Sequence, residues 1–173
     1  MPSSRRLITS TTLSTSAASV TFSSIPATYT DLVLRISARA GNTGTSANFT
    51  LAVSLNGNSA TNHSYTVLRA TGSTVNSFAG SSVTNINGVT SATAATANTF
   101  GNAEFYIPNY TSSANKPCSF FSVAEDNTTS AAIRATAGLY SSSSAVSSIV
   151  IWSQSGYVLD SGSSFYLYGL FNS

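Results

Sequence analysis

Between residues 30 and 39 the side chains alternate along an extended chain. Leu32, Leu34, Ile36 and Ala38 fall on one face, and Asp31, Val33, Arg35, Ser37 and Arg39 on the other. That two-residue period belongs to a half-buried strand. A slip of one residue would turn all four apolar side chains to water, so this strand is expected to pin the register of its neighbours and to lie centrally in a sheet. The same period sets Phe49, Leu51, Val53 and Leu55 against Asn48, Thr50, Ala52 and Ser54, and Ala103, Phe105 and Ile107 against Glu104 and Tyr106. Residues 119–124 place Phe121 and Val123 on one face, and residues 131–139 place Ile133, Ala135, Ala137 and Leu139 opposite Arg134 and Tyr140. Shorter strands are predicted over residues 7–10, 19–22, 65–69 and 148–152. In the last strand Phe165, Leu167, Gly169 and Phe171 oppose Tyr166, Tyr168 and Leu170. Apolar groups on both sides predict that this strand is buried or paired with another subunit.

Punctuation between these runs comes from Gly41-Asn42-Thr43-Gly44, Asn56-Gly57-Asn58 and Glu125-Asp126-Asn127, all residues that favour turns. Residues 70–99 lose both periodicities and fill with Gly, Ser, Thr, Ala and Asn, which predicts a long loop with one strand embedded near residues 83–86. Long loops inside compact domains commonly bind something or pack on a neighbour. Eight to ten short strands without a helical pattern predict an all-β fold, an antiparallel β-sandwich of jelly-roll type. Residues 1–18 are expected to form an N-terminal arm and a first short strand, with the arm over residues 1–6, and residues 19–173 a single sandwich domain.

Composition sharpens this reading. Charged residues make up 7 % of the 173, against about a quarter in ordinary domains, while hydrophobic residues reach 42 % with nine Phe and eight Tyr. Disorder pairs low hydrophobicity with high charge, so this chain is expected to fold. Its polarity rests on hydroxyls and amides, and a net charge of +2 from scattered basic residues gives little long-range steering. Cys118 is the only cysteine, so the core stands without an internal disulfide or a cysteine metal cluster. Residues 7–12 are too rich in hydroxyls for a signal peptide, and no apolar run is long enough to span a membrane as a helix.

The chemistry-bearing residues are few. His63 is the only histidine and sits in the polar run Asn62-His63-Ser64, where a solvated loop position is expected; no G-x-S-x-G elbow surrounds any serine. Glu104, Glu125 and Asp126 are the carboxylates that a glycosidase pair would draw on, but their strand and turn positions predict surface groups. No catalytic, metal-binding or cofactor-binding residue is therefore assigned. Arg35 and Arg39, read as sharing an outward strand face, offer a contact for a phosphate or carboxylate on a partner; without a basic stripe, nucleic acid is not an expected partner. Tyr106, Tyr140, Trp152, Tyr157, Tyr166 and Tyr168 offer rings for stacking, on sugars or at an interface. The candidate partner-binding residues are Arg5, Arg6, Arg35, Arg39, Tyr166 and Tyr168.

The run Ser19-Val20-Thr21-Phe22-Ser23-Ser24-Ile25-Pro26-Ala27-Thr28-Tyr29-Thr30-Asp31-Leu32-Val33-Leu34 resembles the opening of small structural proteins of tailed phages infecting cyanobacteria and other aquatic bacteria. Thr99-Phe100, Phe105-Tyr106-Ile107-Pro108-Asn109-Tyr110, Lys116-Pro117 and Gly162-Ser163-Ser164-Phe165-Tyr166-Leu167-Tyr168-Gly169 are similar to the same group, and residues 70–98 match it least. The resemblance implies a non-enzymatic virion protein on the capsid surface. Its expected role is a head decoration or cement protein that forms a homo-oligomer, a trimer, and binds the major capsid protein to stabilise the head. The alternative it implies is a tail-fibre domain that recognises a host surface glycan.

Overall fold

A computed structural model describes residues 5–41, 45–57, 59–127 and 129–171. Fourteen strands run along these residues: β1 (Arg5–Thr12), β2 (Ser19–Phe22), β3 (Asp31–Ala38), β4 (Ala40–Gly41), β5 (Asn48–Leu55), β6 (His63–Thr71), β7 (Thr74–Val83), β8 (Ile86–Ser91), β9 (Gly101–Ile107), β10 (Lys116–Ala124), β11 (Ala132–Tyr140), β12 (Ile149–Ser153), β13 (Val158–Leu159) and β14 (Ser164–Leu170). They form an eight-stranded sheet in the order β1-β14-β3-β9-β10-β11-β6-β7, a four-stranded sheet β2-β12-β5-β8, and a small β13-β4 ribbon. The paired strands are antiparallel, and the two larger sheets pack face to face as a β-sandwich.

The core side of the central alternation holds, while on its other side Asp31 and Val33 are buried and Arg35 is exposed. Leu32, Leu34 and Ile36 of β3 enter the core beside Phe105 and Ile107 of β9 and Phe165 and Leu167 of β14. From the small sheet Val20, Phe22, Leu51, Val53, Leu55, Ile149 and Ile151 meet them, so one apolar layer holds both sheets. Phe105 and Phe120 pack edge to face with centroids 5.1 Å apart, an arrangement the ring quadrupoles favour. A Cβ on Gly88 would lie 2.5 Å from the Phe120 ring, so β8 approaches β10 at a distance only glycine permits there. β14, apolar on both sides, lies between β1 and β3 within the chain's own large sheet.

Several expectations are corrected. Residues 70–99 hold β7 and all of β8, not a long loop with one strand near residues 83–86. β7 lies at the end of the large sheet with most of its side chains exposed, so it has no buried face to impose an alternation, while β8 is buried on both faces, with Asn87 and Thr90 hydrogen-bonded inside the protein. Gly72, at φ 55°, leads the two-residue turn between β6 and β7. The face groupings read for β10 and β11 hold, and the structure adds which face turns inward. Cys118, Phe120, Ser122, Ala124, Arg134, Thr136 and Tyr140 point inward, and Phe121, Ile133, Ala135 and Ala137 point out.

The reason for that orientation lies at the open rim of β8. Ser122 Oγ accepts from Val89 N at 3.0 Å, Arg134 Nη1 donates to Gly88 O at 2.7 Å, and Thr136 Oγ1 donates to Asn87 O at 2.8 Å. Buried backbone groups without a strand neighbour need partners, and the inward polar side chains of β10 and β11 supply them. The N-terminal arm is also revised. Arg5 and Arg6 belong to β1, which pairs with β14, and residues 1–4 of the expected arm lie outside the described residues. Of the predicted turns, Asn56 (φ 56°), Gly57 (φ 102°) and Asn127 (φ 60°) adopt left-handed backbone, while Asn42, Thr43, Gly44 and Asn58 lie outside the described residues.

Candidate interaction face

Strand register lays the outer side chains of the large sheet in rows. One row runs Ser10, Tyr166, Arg35, Glu104, Phe121, Ala135, Leu68, Ser77 from β1 to β7. A second, two residues along each strand, runs Thr12, Ser164, Ser37, Asn102, Val123, Ile133, Ala70, Val75. A third runs Leu7, Tyr168, Val33, Tyr106, Ser119, Ala137, Thr66, Ala79. The face divides at β9. From β1 to β9 it carries tyrosines and charges, whereas these rows carry no ionisable side chain over β10, β11, β6 and β7.

The first half gathers four of the six predicted partner residues. The Arg5 guanidinium lies over the Tyr168 ring, 5.4 Å from its centroid, a cation–π distance. Arg35 Nε donates to Glu104 Oε2 at 2.9 Å, and both side chains are about half exposed, so water screens the pair. Tyr166, more than a third exposed, stands beside Arg35 in the same row. Below them Tyr106 Oη donates to Asp31 Oδ2 at 2.8 Å and Asn109 N donates to Asp31 Oδ1 at 2.9 Å. Burial, and then the Asp31 carboxylate, hold the Tyr106 phenol above its usual range.

The other two residues do not join this group. Arg6 is exposed opposite Gly169, on the other side of β1 from Arg5 by strand alternation. Arg39 does not share the outward face of Arg35. Its Nη1 donates to Thr96 O and Thr99 O, both at 3.0 Å, its Nη2 donates to Thr93 O at 3.1 Å and Ala95 O at 3.2 Å, and Asp160 Oδ2 lies 3.7 Å from its Nε. The fork of donors on one guanidinium thus clasps the loop after β8, a structural role that a strand-face reading could not reveal.

The second half is not singled out by the sequence reading, which groups Phe121 with Val123 and Ile133 with Ala135 and Ala137 without saying which face meets water. Phe121 is 52 % exposed, Leu68 59 %, Ile133 41 % and Val75 70 %, and alanines fill the positions between them. A monomer's largest apolar patch is about a few hundred Å² and commonly functional. The available signal was the run of polar residues, Ser122, Arg134 and Thr136, on the opposite faces of the same two strands. It identifies the outer face only when a buried strand rim is known to need those groups.

The groups considered for catalysis lie apart in role. His63, expected in a solvated loop, is buried at the start of β6, where its Nε2 accepts from Leu55 N at 3.1 Å and its ring lies 4.9 Å from that of Tyr140. Burial pulls the imidazole down to about 4, against a smaller opposing pull from hydrogen bonding with the Ala60 backbone. Glu104 is engaged with Arg35, and Glu125 Oε1 accepts from Asp126 N at 3.1 Å and Asn127 N at 3.0 Å, closing its turn. Cys118 is buried, and desolvation pushes its thiol up to about 12, far from a reactive thiolate. Lys116 is buried with Nζ donating to Ser142 O at 2.8 Å and Ser144 O at 2.6 Å; desolvation lowers its ammonium. Among the described residues no three His, Cys, Asp or Glu side chains gather as a metal site, and no helix is long and apolar enough to cross a membrane.

Comparison with known proteins adds little to this geometry. No family model matches the chain, and no curated protein matches it. Among solved structures it is similar to Scytalido-glutamic peptidase with a peptide-based transition-state analogue, at 14 % identity and a TM-score of 0.27 over 95 % of this chain and 69 % of that one. It is also similar to SCP-B, a member of the Eqolisin family of peptidases in complex with the tripeptide Ala-Ile-His, at 13 % identity and a TM-score of 0.23 over 95 % and 68 %. Similarity of this size carries no argument about fold or activity.

Proposed function

We propose that the chain is a non-enzymatic virion component, a phage head decoration protein that self-associates and attaches to the major capsid protein through the outer face of its large sheet. The observation that carries the reading is the uncharged apolar half of that face, built by β10, β11, β6 and β7 and left uncovered by the other described residues. Stable assembly contacts bury broad apolar surface with few charges at the centre, which is the chemistry these strands present. The strand order is consistent with a jelly roll, since β1-β14-β3-β9 and β2-β12-β5-β8 follow the wiring of an eight-stranded one, with two hairpins added to the large sheet. Capsid and lectin domains both use that wiring, and the family resemblance favours the capsid.

Imaging virions that contain the chain at subunit resolution is expected to place it on the head, with Phe121 and Leu68 at the capsid contact. Phe121→Asp with Leu68→Asp should abolish attachment while the folded circular dichroism spectrum persists. Density confined to the tail, or undiminished attachment of the doubly charged variant, would overturn the reading. A second reading, recognition of a host glycan by a tail-fibre domain, is favoured by Tyr166 beside the exposed Arg35–Glu104 pair, a ring with polar groups at its edge. It expects signal on a glycan array that Tyr166→Ala removes, and a blank array ends it.

A further inference from the structure

We infer that two copies of this chain pair edge to edge through β7, antiparallel and about a two-fold axis, joining their large sheets into one. A strand at the end of a sheet presents a row of unpaired N–H and C=O groups, and natural proteins blunt such rims with charge, proline, bulges or short length. The sandwich has four such ends, and three are guarded. β1 carries Arg5 and Arg6 and a register break between Leu7 and Thr9. β2 is four residues long, and the rim of β8 is filled by Ser122, Arg134 and Thr136. β7 carries only one of these devices, a register break against β6 at its Val83 end, between the partners of Tyr65 and His63. From Thr74 to Gly80 it pairs with β6 without a break, the strand has no charged residue and no proline, and no strand lies beyond it among the described residues.

The occupant that fits is a second β7. An uncharged rim meets a copy of itself without like-charge repulsion, and the net charge of +2 per chain opposes pairing only weakly. The outer row Val123, Ile133, Ala70, Val75 ends at a valine that is 70 % exposed, so an added strand extends the row where it now meets water. An isologous contact uses each β7 once and closes. The guarded β1 rim blocks the head-to-tail alternative that would propagate into a filament. The assembly is thus a pair, not the trimer implied by the resemblance, and it stands independently of where the protein acts.

Sedimentation equilibrium of the purified full chain is expected to return twice the monomer mass with a concentration-dependent monomer fraction. Amides of Thr74–Val83 should exchange slowly at high concentration and quickly on dilution. Ser77→Lys with Ala79→Lys, both at exposed positions, should weaken pairing at least ten-fold with an unchanged melting temperature, while Ser10→Lys on the opposite rim leaves the mass unaltered. A monomer throughout, a trimer, a mass indifferent to the β7 lysines, or β7 exchange independent of concentration would overturn the inference. Should the lysine variant fail to fold, the exchange measurement on the native chain decides alone. These readings need no virion, so absence of the chain from phage heads leaves the pairing intact, and a monomer in solution leaves head attachment intact.

Discussion

His63 shows how far one side chain can depart from its sequence neighbourhood. Set between Asn62 and Ser64, it nevertheless closes the end of β5 by accepting from Leu55 N, and desolvation keeps its imidazole neutral down to about 4. In the unfolded chain the group titrates near 6.5, so the unfolded state binds more protons between those values. The resulting stabilisation is complete above pH 6.5 and is lost as pH falls to about 4; it amounts to about 3 kcal/mol. Urea unfolding at pH 7 and pH 4 should show a fall of that order. His63→Gln, which keeps an acceptor for Leu55 N, should lose most of the pH dependence across that window. An identical slope in the variant would assign the effect to the carboxylates instead.

At the scale of elements, β8 and the strands that seal it explain most of the difference between reading and fold. Arg134 spans from β11 to Gly88 O and to Thr50 Oγ1 at 3.1 Å, and desolvation followed by the nearby Arg69 charge lowers it to about 10. Arg134→Met should cost about 2 to 3 kcal/mol in chemical denaturation, because a buried carbonyl loses a charged donor. A change within about 0.5 kcal/mol would mean that the rim of β8 is satisfied some other way. β3, β5 and β9 were legible in the sequence because each has one core face and a strict two-residue period. β10 and β11 were legible as strands but not in orientation, since both of their faces carry groups that read as apolar, and the polar residues are needed inside by a strand that was itself unread. Arg39 was recognisable as a charge but not as a clasp, because its four carbonyl partners lie in residues 93–99, more than fifty positions away. Four of the six predicted partner residues, Arg5, Arg35, Tyr166 and Tyr168, share a face, while the broad apolar half was not singled out in the sequence.

For the whole molecule, scarcity of charge governs behaviour in solution. Association through the apolar half of the large sheet, to a partner or to itself, should hold or strengthen from low salt to about 1 M NaCl, since screening removes little and apolar contacts do not weaken. Light scattering across that range checks it, and dissociation with rising salt would point to the Arg35–Glu104 side instead. The same scarcity has a chemical corollary. Lys116 is the chain's only lysine, and its nitrogen is sealed beneath the carbonyls of Ser142 and Ser144. Apart from the amino terminus, amine-directed dyes and cross-linkers should therefore find no target on the folded protein. The slow appearance of label at Lys116 would then serve as a clock for how often the sandwich opens.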